Sequence, residues 1–408
     1  MPWKESCQVN ERMMFVARFK EGERISDLCR EFGISRKTGY KFVNRFQQFG
    51  PIGLYDEPRV ALSSPHRVAG DIAELVVQAR KQHSTWGPRK LRSWLLSKHP
   101  GVRLPAASTM GEILKRHGLV KPRKQRRAVP TSPFARHQAA AANEIWCADF
   151  KGQFRLGTGR YCYPLTISDA FSRYIVSCEG LEDTKGEHTR QVFEVAFREH
   201  GLPDAILTDN GAPFATRGLL GLSQLSVWWL RLGIRHERTQ PGHPEQNGRH
   251  ERMHRTLKAE TTRPAAATLL QQQDRFDRFV SEYNSERPHE ALGQRPPATL
   301  YAASGRRFPD RLTEPDYPLH DMAASVSRCG HISFPVARSP SLYLSTALAG
   351  QKVGLREVDD SVFLVSFVSL DLGFFNLQTR SFSAVGAENT PAESQKPVTD
   401  GPGLKRYP

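Results

Sequence analysis

Apolar residues near the start of the chain recur with the period of an α-helix. From Ile25 to Phe32 they stand at i, i+3, i+4 and i+7, which places them on one face of a helix. Gly33 would end that helix, and Ser35 would cap the next one. Residues 11–49 are therefore predicted to form three short helices, and the last two, joined by the turn GIS, have the arrangement of a helix-turn-helix.

A second group of three helices is predicted after the Pro- and Ser-containing stretch 51–66. One apolar stripe runs from Ile72 to Ala79, a Gly-Pro pair at 87–88 opens the next helix, and Gly118 ends the last one. Lys and Arg alternate through these helices, which indicates a second DNA-binding unit. The basic run KPRKQRR and an Ala- and Pro-rich stretch follow as a predicted linker.

From Glu144 onward the pattern is one of strands followed by helices. The segments WCADFKGQF and YCYPLTISDAFSRYIVSCEGL are rich in aromatic and branched residues, which predicts paired strands. HTRQVFEVAFREHG then has the helical period, and AILTDNG is a short apolar strand that ends in Asp209. This order predicts an α/β domain.

Beyond about Tyr301 the pattern becomes all-β. HISFPVA, LYLST, KVGLREV and VFLVSFVSL are short predicted strands, and the pair at 359–360 fits a turn between the last two. We expect a small C-terminal β-barrel from these strands. The tail from Ser381 lacks apolar periodicity and is expected to be disordered.

The composition excludes several classes of protein. The 408-residue chain has no apolar run as long as the roughly 20 residues of a membrane span. Its first residues, MPWKESCQVN, lack the apolar core of a secretory signal. The 6 cysteines contain no C-x-x-C pair, which argues against a cysteine zinc finger and a disulfide scaffold. We expect a cytoplasmic protein with reduced thiols.

The positive charge is concentrated in the first third of the chain. Residues 1–142 contain 27 Lys and Arg against 11 Asp and Glu, whereas residues 143–408 contain 31 of each kind. This division indicates a phosphate-binding module joined to a part of different purpose, although a basic surface that only aids solubility has the same composition. The second helix of the helix-turn-helix would lay these side chains along a DNA groove: Arg36, Lys37, Thr38, Lys41 and Arg45. Any basic helical hairpin gives a similar pattern.

Three acidic residues occupy positions at which an α/β domain displays ligands. Asp149 lies in the first predicted strand, Asp209 ends a later strand, and Glu251 lies on the helix that begins near Glu245. Carboxylates that converge from strand ends and a helix offer the hard oxygen ligands that Mg²⁺ requires. Paired ions held in this way activate an attacking hydroxyl. Taken singly, each carboxylate would more often cap a turn.

Four ordered segments within residues 143–301 carry a family resemblance. They are WCADFKG, LTDNGAPF, PGHPEQNGRHERMHRTLK and EYNSERPHEALGQRPPATLY. Together they resemble the DDE transposases of bacterial insertion sequences, which share a ribonuclease H-like core with retroviral integrases. The resemblance implies an α/β core with a mixed sheet and helices, and a catalytic triad of Asp149, Asp209 and a glutamate that holds two Mg²⁺ or Mn²⁺ ions. It also implies DNA partners, namely the terminal inverted repeats of the element and target DNA, and a homo-multimer on DNA.

Two glutamates compete for the third position of the triad. Between Asp209 and Glu245 lie 35 residues, the spacing for which the family pattern is named, whereas 41 residues separate Asp209 from Glu251. In the family, the glutamate comes three residues after the glycine of a P-x-x-x-G segment, which runs here from Pro244 to Gly248. We therefore predict Glu251, and the Gly- and Leu-rich stretch ATRGLLGLSQLS would absorb the additional residues.

Neighbours of the triad are further DNA-binding candidates. Arg255 and Lys258 stand at i+4 and i+7 from Glu251 and share its helix face, so they would reach DNA phosphates. Asn247 would approach the DNA strand. Asp169 is a candidate for a fourth metal ligand, but we expect it to be a polar residue of a turn.

The helix of Glu251 also matches the zinc-protease pattern H-E-x-x-H through His250 and His254. A zinc-protease helix is apolar around its ligands, whereas this one is charged, and no third ligand pattern follows. We therefore expect both histidines to face solvent or DNA.

These observations predict a transposase that binds the ends of a mobile element and carries out DNA cleavage and strand transfer, in the bacterial cytoplasm and associated with the nucleoid when bound to DNA. The alternative is a domesticated DNA-binding regulator without catalysis. The predicted segments are a helix-turn-helix domain (1–60), a second helical DNA-binding unit with a basic linker (61–142), the ribonuclease H-like core (143–301), a small β-barrel (302–380) and a disordered tail (381–408).

Overall fold

The structure is a computed structural model of the 408-residue chain, and it describes residues 8–56, 68–120, 139–240, 248–334 and 341–385. The chain folds as two units, Met1–Ala69 and Gly70–Pro408. Among the helices of the described ranges, none has the length and apolar character needed to cross a membrane.

Three short helices enclose the core of the N-terminal unit. They are α1 (Gln8–Lys20), α2 (Ile25–Glu31) and α3 (Arg36–Phe49). The Ser35 side chain caps α3 by accepting a hydrogen bond from Thr38 N at 3.1 Å. Gly39 permits close packing of α3, because a Cβ there would lie 2.7 Å from Cys29 Sγ and 2.9 Å from the Phe15 ring. The predicted helix-turn-helix is confirmed.

The second unit begins with the second predicted group of helices. They are α4 (Gly70–Gln82), α5 (Pro88–Lys98) and α6 (Ala107–Arg116). Pro88 begins α5, where its missing N–H removes no helical hydrogen bond. Leu91, Leu95 and Met110 are buried, so the apolar stripes of α5 and α6 face a shared core.

The α/β core of the second unit alternates strands and helices as predicted. Its elements are β1 (Ile145–Phe150), β2 (Phe154–Arg155), β3 (Tyr161–Asp169), β4 (Ile175–Leu181), α7 (Gly186–His200), β5 (Ala205–Thr208), α8 (Gln224–Arg231), β6 (Arg235–Arg238), α9 (Gly248–Thr261) and α10 (Leu269–Ser285). Trp146, Phe193 and Trp229 are fully buried in its centre. Trp228 is buried with them, so both tryptophans of α8 are core residues.

The sheet of this core is mixed, because β1 runs antiparallel to β3 and parallel to β5. The strand order is β2-β3-β1-β5-β6, and β4 also pairs with β3. In the β1–β3 register Asp149 lies opposite Thr166. The predicted α/β class with a mixed sheet is confirmed.

The C-terminal part is all-β, as predicted. Its strands are β7 (Met322–Ser325), β8 (His331–Ser333), β9 (Ser341–Tyr343), β10 (Lys352–Asp359), β11 (Val362–Phe367), β12 (Leu370–Asn376) and β13 (Ser381–Ala384). Five of them form an antiparallel sheet in the order β13-β12-β11-β10-β7, and β8 pairs with β9. The apolar core beneath these strands includes Leu222 and Val227, so it is continuous with the segment that carries α8.

Two expectations for this region need correction. The small barrel is not confirmed, because β13 and β7 are opposite edges of an open sheet and do not pair with each other within the described residues. The disorder expected from Ser381 is wrong for Ser381–Ala384, which forms β13. Pairing with β12 and the packing of Phe382 on the apolar core hold this strand in place. Residues 386–408 of the expected tail lie outside the described residues.

The helical group α4–α6 is tied to the α/β core at the end of α10. His83 Nδ1 lies 2.8 Å from Glu282 Oε1. Trp94 Nε1 donates a hydrogen bond to Glu286 Oε2 at 3.3 Å, and Lys98 Nζ lies 3.3 Å from Glu286 Oε1. These contacts place one face of the predicted second DNA-binding unit against the core.

Candidate active site

The three predicted carboxylates lie at one edge of the mixed sheet. Asp149 is the penultimate residue of β1, and Asp209 directly follows β5. Because β1 and β5 are parallel neighbours, their ends bring these two residues to the same edge. Glu251 lies in the first turn of α9. Asp209 and Glu251 are close enough for their charges to act on Asp149.

The electrostatics of Asp149 reflect this convergence. Burial raises the pKa of Asp149 to about 7, and the negative charges of Asp209 and Glu251 act in the same direction, while the Lys151 ammonium opposes them. The Asp149 side chain is 20% exposed, whereas Asp209 and Glu251 are exposed. Carboxylates that repel one another beside an open surface have the donor chemistry that Mg²⁺ or Mn²⁺ requires, so the residues fit a divalent cation.

The loop after β5 holds Asp209 in place. Gly211 N donates a hydrogen bond to Asp209 Oδ1 at 3.0 Å. A Cβ on Gly211 would lie 3.1 Å from Asp209 Oδ2, so a glycine leaves space beside the carboxylate. Asn210 Nδ2 donates to Thr239 O at 2.7 Å, which anchors the loop to the residue after β6. The turn at residues 210–211 therefore orients Asp209.

The expectation for the two histidines of α9 is wrong. His250 is 2% exposed and His254 is 3% exposed, so neither faces solvent. Burial lowers the pKa of His250 to about 3 and that of His254 to about 2. Both histidines are therefore neutral at ordinary pH. Helix α9 turns them toward β3, where Thr166 and Ser168 offer hydroxyl partners.

The same geometry bears on the zinc-protease alternative. Asp149, His250 and His254 present possible ligand atoms within 4.8 Å of one another. However, hydroxyl groups are hydrogen-bonded to three of the four ring nitrogens: Thr166 Oγ1 to both Nε2 atoms and Ser168 Oγ to His250 Nδ1. Only His254 Nδ1 remains for another partner, which argues against a zinc site built on the histidine pair.

The predicted DNA-contacting residues are mostly exposed. Arg36, Lys37 and Lys41 on α3 and Arg255 and Lys258 on α9 are exposed. Thr38 and Arg45 are partly buried. Arg45 Nη2 donates to Tyr55 O at 3.0 Å. Asn247 and the alternative glutamate, Glu245, lie outside the described residues.

Asp169 has a structural role, as expected. Its Oδ1 accepts a hydrogen bond from Asn143 N at 2.8 Å, and its Oδ2 accepts from Ser172 N at 2.7 Å and from Ser172 Oγ at 2.6 Å. Asp169 is almost fully buried. The carboxylate therefore stabilises the turn after β3 and is not displayed with the triad.

Sequence reasoning missed the polar residues behind the triad. Thr166 and Ser168 stand at i and i+2 on β3 and share one face of the strand, whereas His250 and His254 stand at i and i+4 on α9 and share one face of the helix. These two spacings are the signal that the sequence offers for a polar cluster. They indicate a cluster only once it is known that α9 packs against β3.

Known families match four parts of the chain. Residues 139–244 match the family described as Integrase core domain, and residues 232–297 match a second family of that description. Residues 11–59 match the Helix-turn-helix domain, and residues 38–114 match the Homeodomain-like domain.

Two proteins of insertion elements are similar to the chain. The Insertion element IS476 uncharacterized 39.2 kDa protein of Xanthomonas euvesicatoria is 28% identical over 232 residues, which are 56% of this chain and 63% of that protein. The Insertion element IS407 uncharacterized 31.7 kDa protein of Burkholderia multivorans is 28% identical over 197 residues, which are 48% of this chain and 65% of that protein. The matched part spans slightly less than two thirds of each relative.

A solved structure also matches. One chain in the structure of the simian T-cell lymphotropic virus intasome in complex with PP2A regulatory subunit B56 gamma matches with a TM-score of 0.36 and 17% sequence identity. The match covers 73% of this chain and 97% of the matched chain. The integrase core and helix-turn-helix domains, together with the similarity to insertion-element proteins, confirm the resemblance stated from the four segments.

Proposed function

We propose that the chain, which contains an integrase core domain, is a transposase that binds the ends of a mobile DNA element and catalyses metal-dependent DNA cleavage and strand transfer. The observation that carries this proposal is that Asp149, Asp209 and Glu251 lie at one edge of the mixed sheet. The charges of Asp209 and Glu251 act there on the carboxylate of Asp149. The matches to the integrase core and to the helix-turn-helix domain support the same function.

The triad would hold two Mg²⁺ or Mn²⁺ ions. When bound, such ions activate the attacking hydroxyl and stabilise the leaving oxygen of a phosphodiester. Strands β1 and β5 fix Asp149 and Asp209, and α9 presents Glu251 from the exposed side. The chain would place first a water molecule and then the freed 3′-hydroxyl in line with the phosphorus, and neither step needs a covalent enzyme intermediate.

Exposed basic residues would position the DNA. Arg255 and Lys258 lie one and two turns beyond Glu251 on α9, so they would contact phosphates that flank the reacting bond, with Asn247 before them. Such contacts fix register and do not read bases. Helix α3 would enter a groove of the element end.

The domain assignment is part of the proposal. End recognition belongs to residues 1–60 and catalysis to residues 143–301, with the helices of 61–142 between them and the all-β part of 302–380 after them. Simultaneous binding of two element ends requires a homo-multimer on DNA.

The test is a reaction of the full chain with Mg²⁺ and DNA that carries both ends of the element encoding it. We expect cuts at the element ends that leave 3′-hydroxyls, followed by joining to target DNA. Ends with scrambled sequence are the matched control and should remain uncut. Specific binding of the ends without any cleavage would contradict the proposal and would favour a non-catalytic DNA-binding regulator.

A further inference from the structure

A buried polar network lies directly behind Asp149. Thr166 and Ser168 project from β3, and His250 and His254 project from α9, and all four side chains are buried. Thr166 Oγ1 lies 2.7 Å from His250 Nε2 and 2.6 Å from His254 Nε2. Ser168 Oγ lies 2.9 Å from His250 Nδ1. The network is therefore continuous from β3 to α9.

The last free nitrogen of this network faces the triad. His254 Nδ1 lies 3.8 Å from Asp149 Oδ2. Thr166 Oγ1 also lies 3.2 Å from Asp149 O, so the same hydroxyl touches the backbone of the residue whose carboxylate His254 faces. Two different atoms of Asp149 are thus in reach of one buried network.

Proton counting limits how the network can be arranged. The Thr166 hydroxyl has one proton and two acceptor positions, so at least one of the two histidines must donate its Nε2–H to Thr166. Each neutral imidazole carries one proton. Asp149 O, at 3.2 Å from Thr166 Oγ1, can accept the same hydroxyl proton. The tautomer of His254 therefore depends on whether Thr166 donates to His254, or donates elsewhere and accepts the Nε2–H of His254.

The carboxylate of Asp149 favours one arrangement. If His254 donated from Nε2, its Nδ1 lone pair would face the Asp149 carboxylate, which is repulsive. If Thr166 donates to His254 Nε2, the ring proton sits on Nδ1 and points toward Asp149 Oδ2. The donors then run in one direction, from Ser168 to His250, to Thr166 and to His254. The Nδ1–H of His254 faces Asp149 Oδ2 at 3.8 Å, which is an electrostatic contact longer than a hydrogen bond.

We propose that His254 is a positioning residue for Asp149, and that the chain Ser168–His250–Thr166–His254 fixes the Nδ1–H tautomer that orients the Asp149 carboxylate toward the cation it would bind. This inference rests on the proposed function, because it takes Asp149 as a metal ligand. Groups that orient a metal ligand from behind are typically worth 10-fold to 100-fold in metal affinity or activity.

The experiment compares paired variants of the full chain. His254→Asn keeps an N–H donor close to the position of Nδ1, whereas His254→Leu removes it. Thr166→Ser keeps the hydroxyl, whereas Thr166→Val removes it at nearly constant volume. The probe is Mn²⁺ alone, titrated into the DNA-free chain and followed by electron paramagnetic resonance, with the melting temperature of each variant measured beside it.

We expect His254→Leu and Thr166→Val to weaken Mn²⁺ binding by about 10-fold to 100-fold, and His254→Asn and Thr166→Ser to remain within about threefold of the wild type. His83→Leu is the matched control, since His83 is also buried but bonds to Glu282; it should lower the melting temperature without changing Mn²⁺ affinity. Nuclear magnetic resonance of ¹⁵N-histidine should show the Nδ1–H tautomer for the signal that His254→Asn removes.

Either of two results would overturn the positioning role. One is Mn²⁺ binding by His254→Leu as tight as that of the wild type. The other is an Nε2–H tautomer at His254. A wild-type chain that binds no Mn²⁺ and cuts no DNA would instead contradict the proposed function, and the positioning role would fall with it.

Discussion

At the scale of single residues, hydrogen bonds and neighbouring charges separate the carboxylates of this chain into different kinds. Asp169 is buried but accepts three hydrogen bonds, so it serves a turn. Asp149 is half-buried beside other carboxylates, which raises its pKa. Groups whose pKa is perturbed by burial and by specific charges cluster at functional sites, which is the physical reason to place the chemistry at Asp149.

Glu251 and Glu245 can be distinguished directly. We expect Glu251→Gln to reduce DNA cleavage and strand transfer by at least about 100-fold, because a metal ligand is lost and even outer-shell changes cost up to that factor. Binding of the element ends should be spared, since no basic side chain is removed. Glu245→Gln should have a mild effect. The reverse pattern in a cleavage assay with matched binding measurements would show that the 35-residue spacing identifies the ligand.

Glu179 on β4 gives a pH-dependent prediction that does not involve the metal. Burial raises the pKa of Glu179 to about 7, with the charges of Asp277 and Glu199 acting in the same direction. The folded state therefore holds this proton more tightly than the unfolded state, so folded stability falls as pH rises from about 4, the usual glutamate pKa, to 7.

Replacing this carboxylate by an amide removes that loss. Glu179→Gln should raise the melting temperature relative to wild type at pH 8, and the gain should shrink at pH 5. Glu112→Gln, at an exposed position on α6, is the control and should show little difference at either pH. A gain for Glu179→Gln that is equal at pH 5 and pH 8 would contradict the argument.

The sequence predicted some of these residues and not others. The sequence predicted Asp149, Asp209 and Glu251 as ligand candidates, because each lies in a local segment with a recognisable pattern. His250 and His254 share a helix with charged neighbours, and their burial depends on β3, whose Thr166 lies 84 and 88 residues away. Local polarity gave the wrong answer for both histidines, since only the packing of α9 on the sheet decides it.

At the scale of elements, α3 divides into a buried face and an exposed basic face. Gly39, Phe42 and Val43 are buried against the rest of the N-terminal unit, while Arg36, Lys37 and Lys41 are exposed. The exposed face is thus free to approach a phosphate backbone.

This division makes a prediction for end binding. Arg36→Ala and Lys37→Ala should each weaken specific binding of element-end DNA and reduce the slope of log affinity against log salt by roughly 1 for each phosphate that is no longer neutralised. Arg198→Ala, which removes the partner of Glu194 on α7, is the control and should leave the slope unchanged. Unchanged slopes for the two α3 variants, in a fluorescence anisotropy titration over several salt concentrations, would leave α3 with a structural role only.

Elements were predictable where their signals are local. The helices of 11–49 follow from apolar period, a terminating glycine and the Ser35 cap, all of which lie within a few residues of the helix they define. Closure of the C-terminal sheet into a barrel has no local signal, since it depends on whether two strands that are distant in sequence pair with each other. Strand β13 was missed because its four residues contain a single aromatic side chain, the partly buried Phe382, and resemble a polar tail until β12 is beside them.

At the scale of the whole molecule, the basic excess of the first third is not all free to bind DNA. Part of it lies on α4–α6, where Lys98 and Arg89 pair with Glu286 and Glu290 of the core. Those carboxylates belong to the electrically neutral remainder of the chain. The sequence showed the charge division correctly, but it could not show that the two sides meet, because the partners are 188 and 201 residues apart.

The central claim is that three carboxylates at one sheet edge carry metal-dependent DNA chemistry. The most direct measurement is strand transfer by wild type, Asp149→Asn and Asp209→Asn, with Mg²⁺ present or chelated and with end binding measured in the same samples. We expect joined product only from the wild type with Mg²⁺, while all three proteins bind element ends equally. Joined product from either asparagine variant at the wild-type level, or from the wild type without a divalent cation, would contradict the claim.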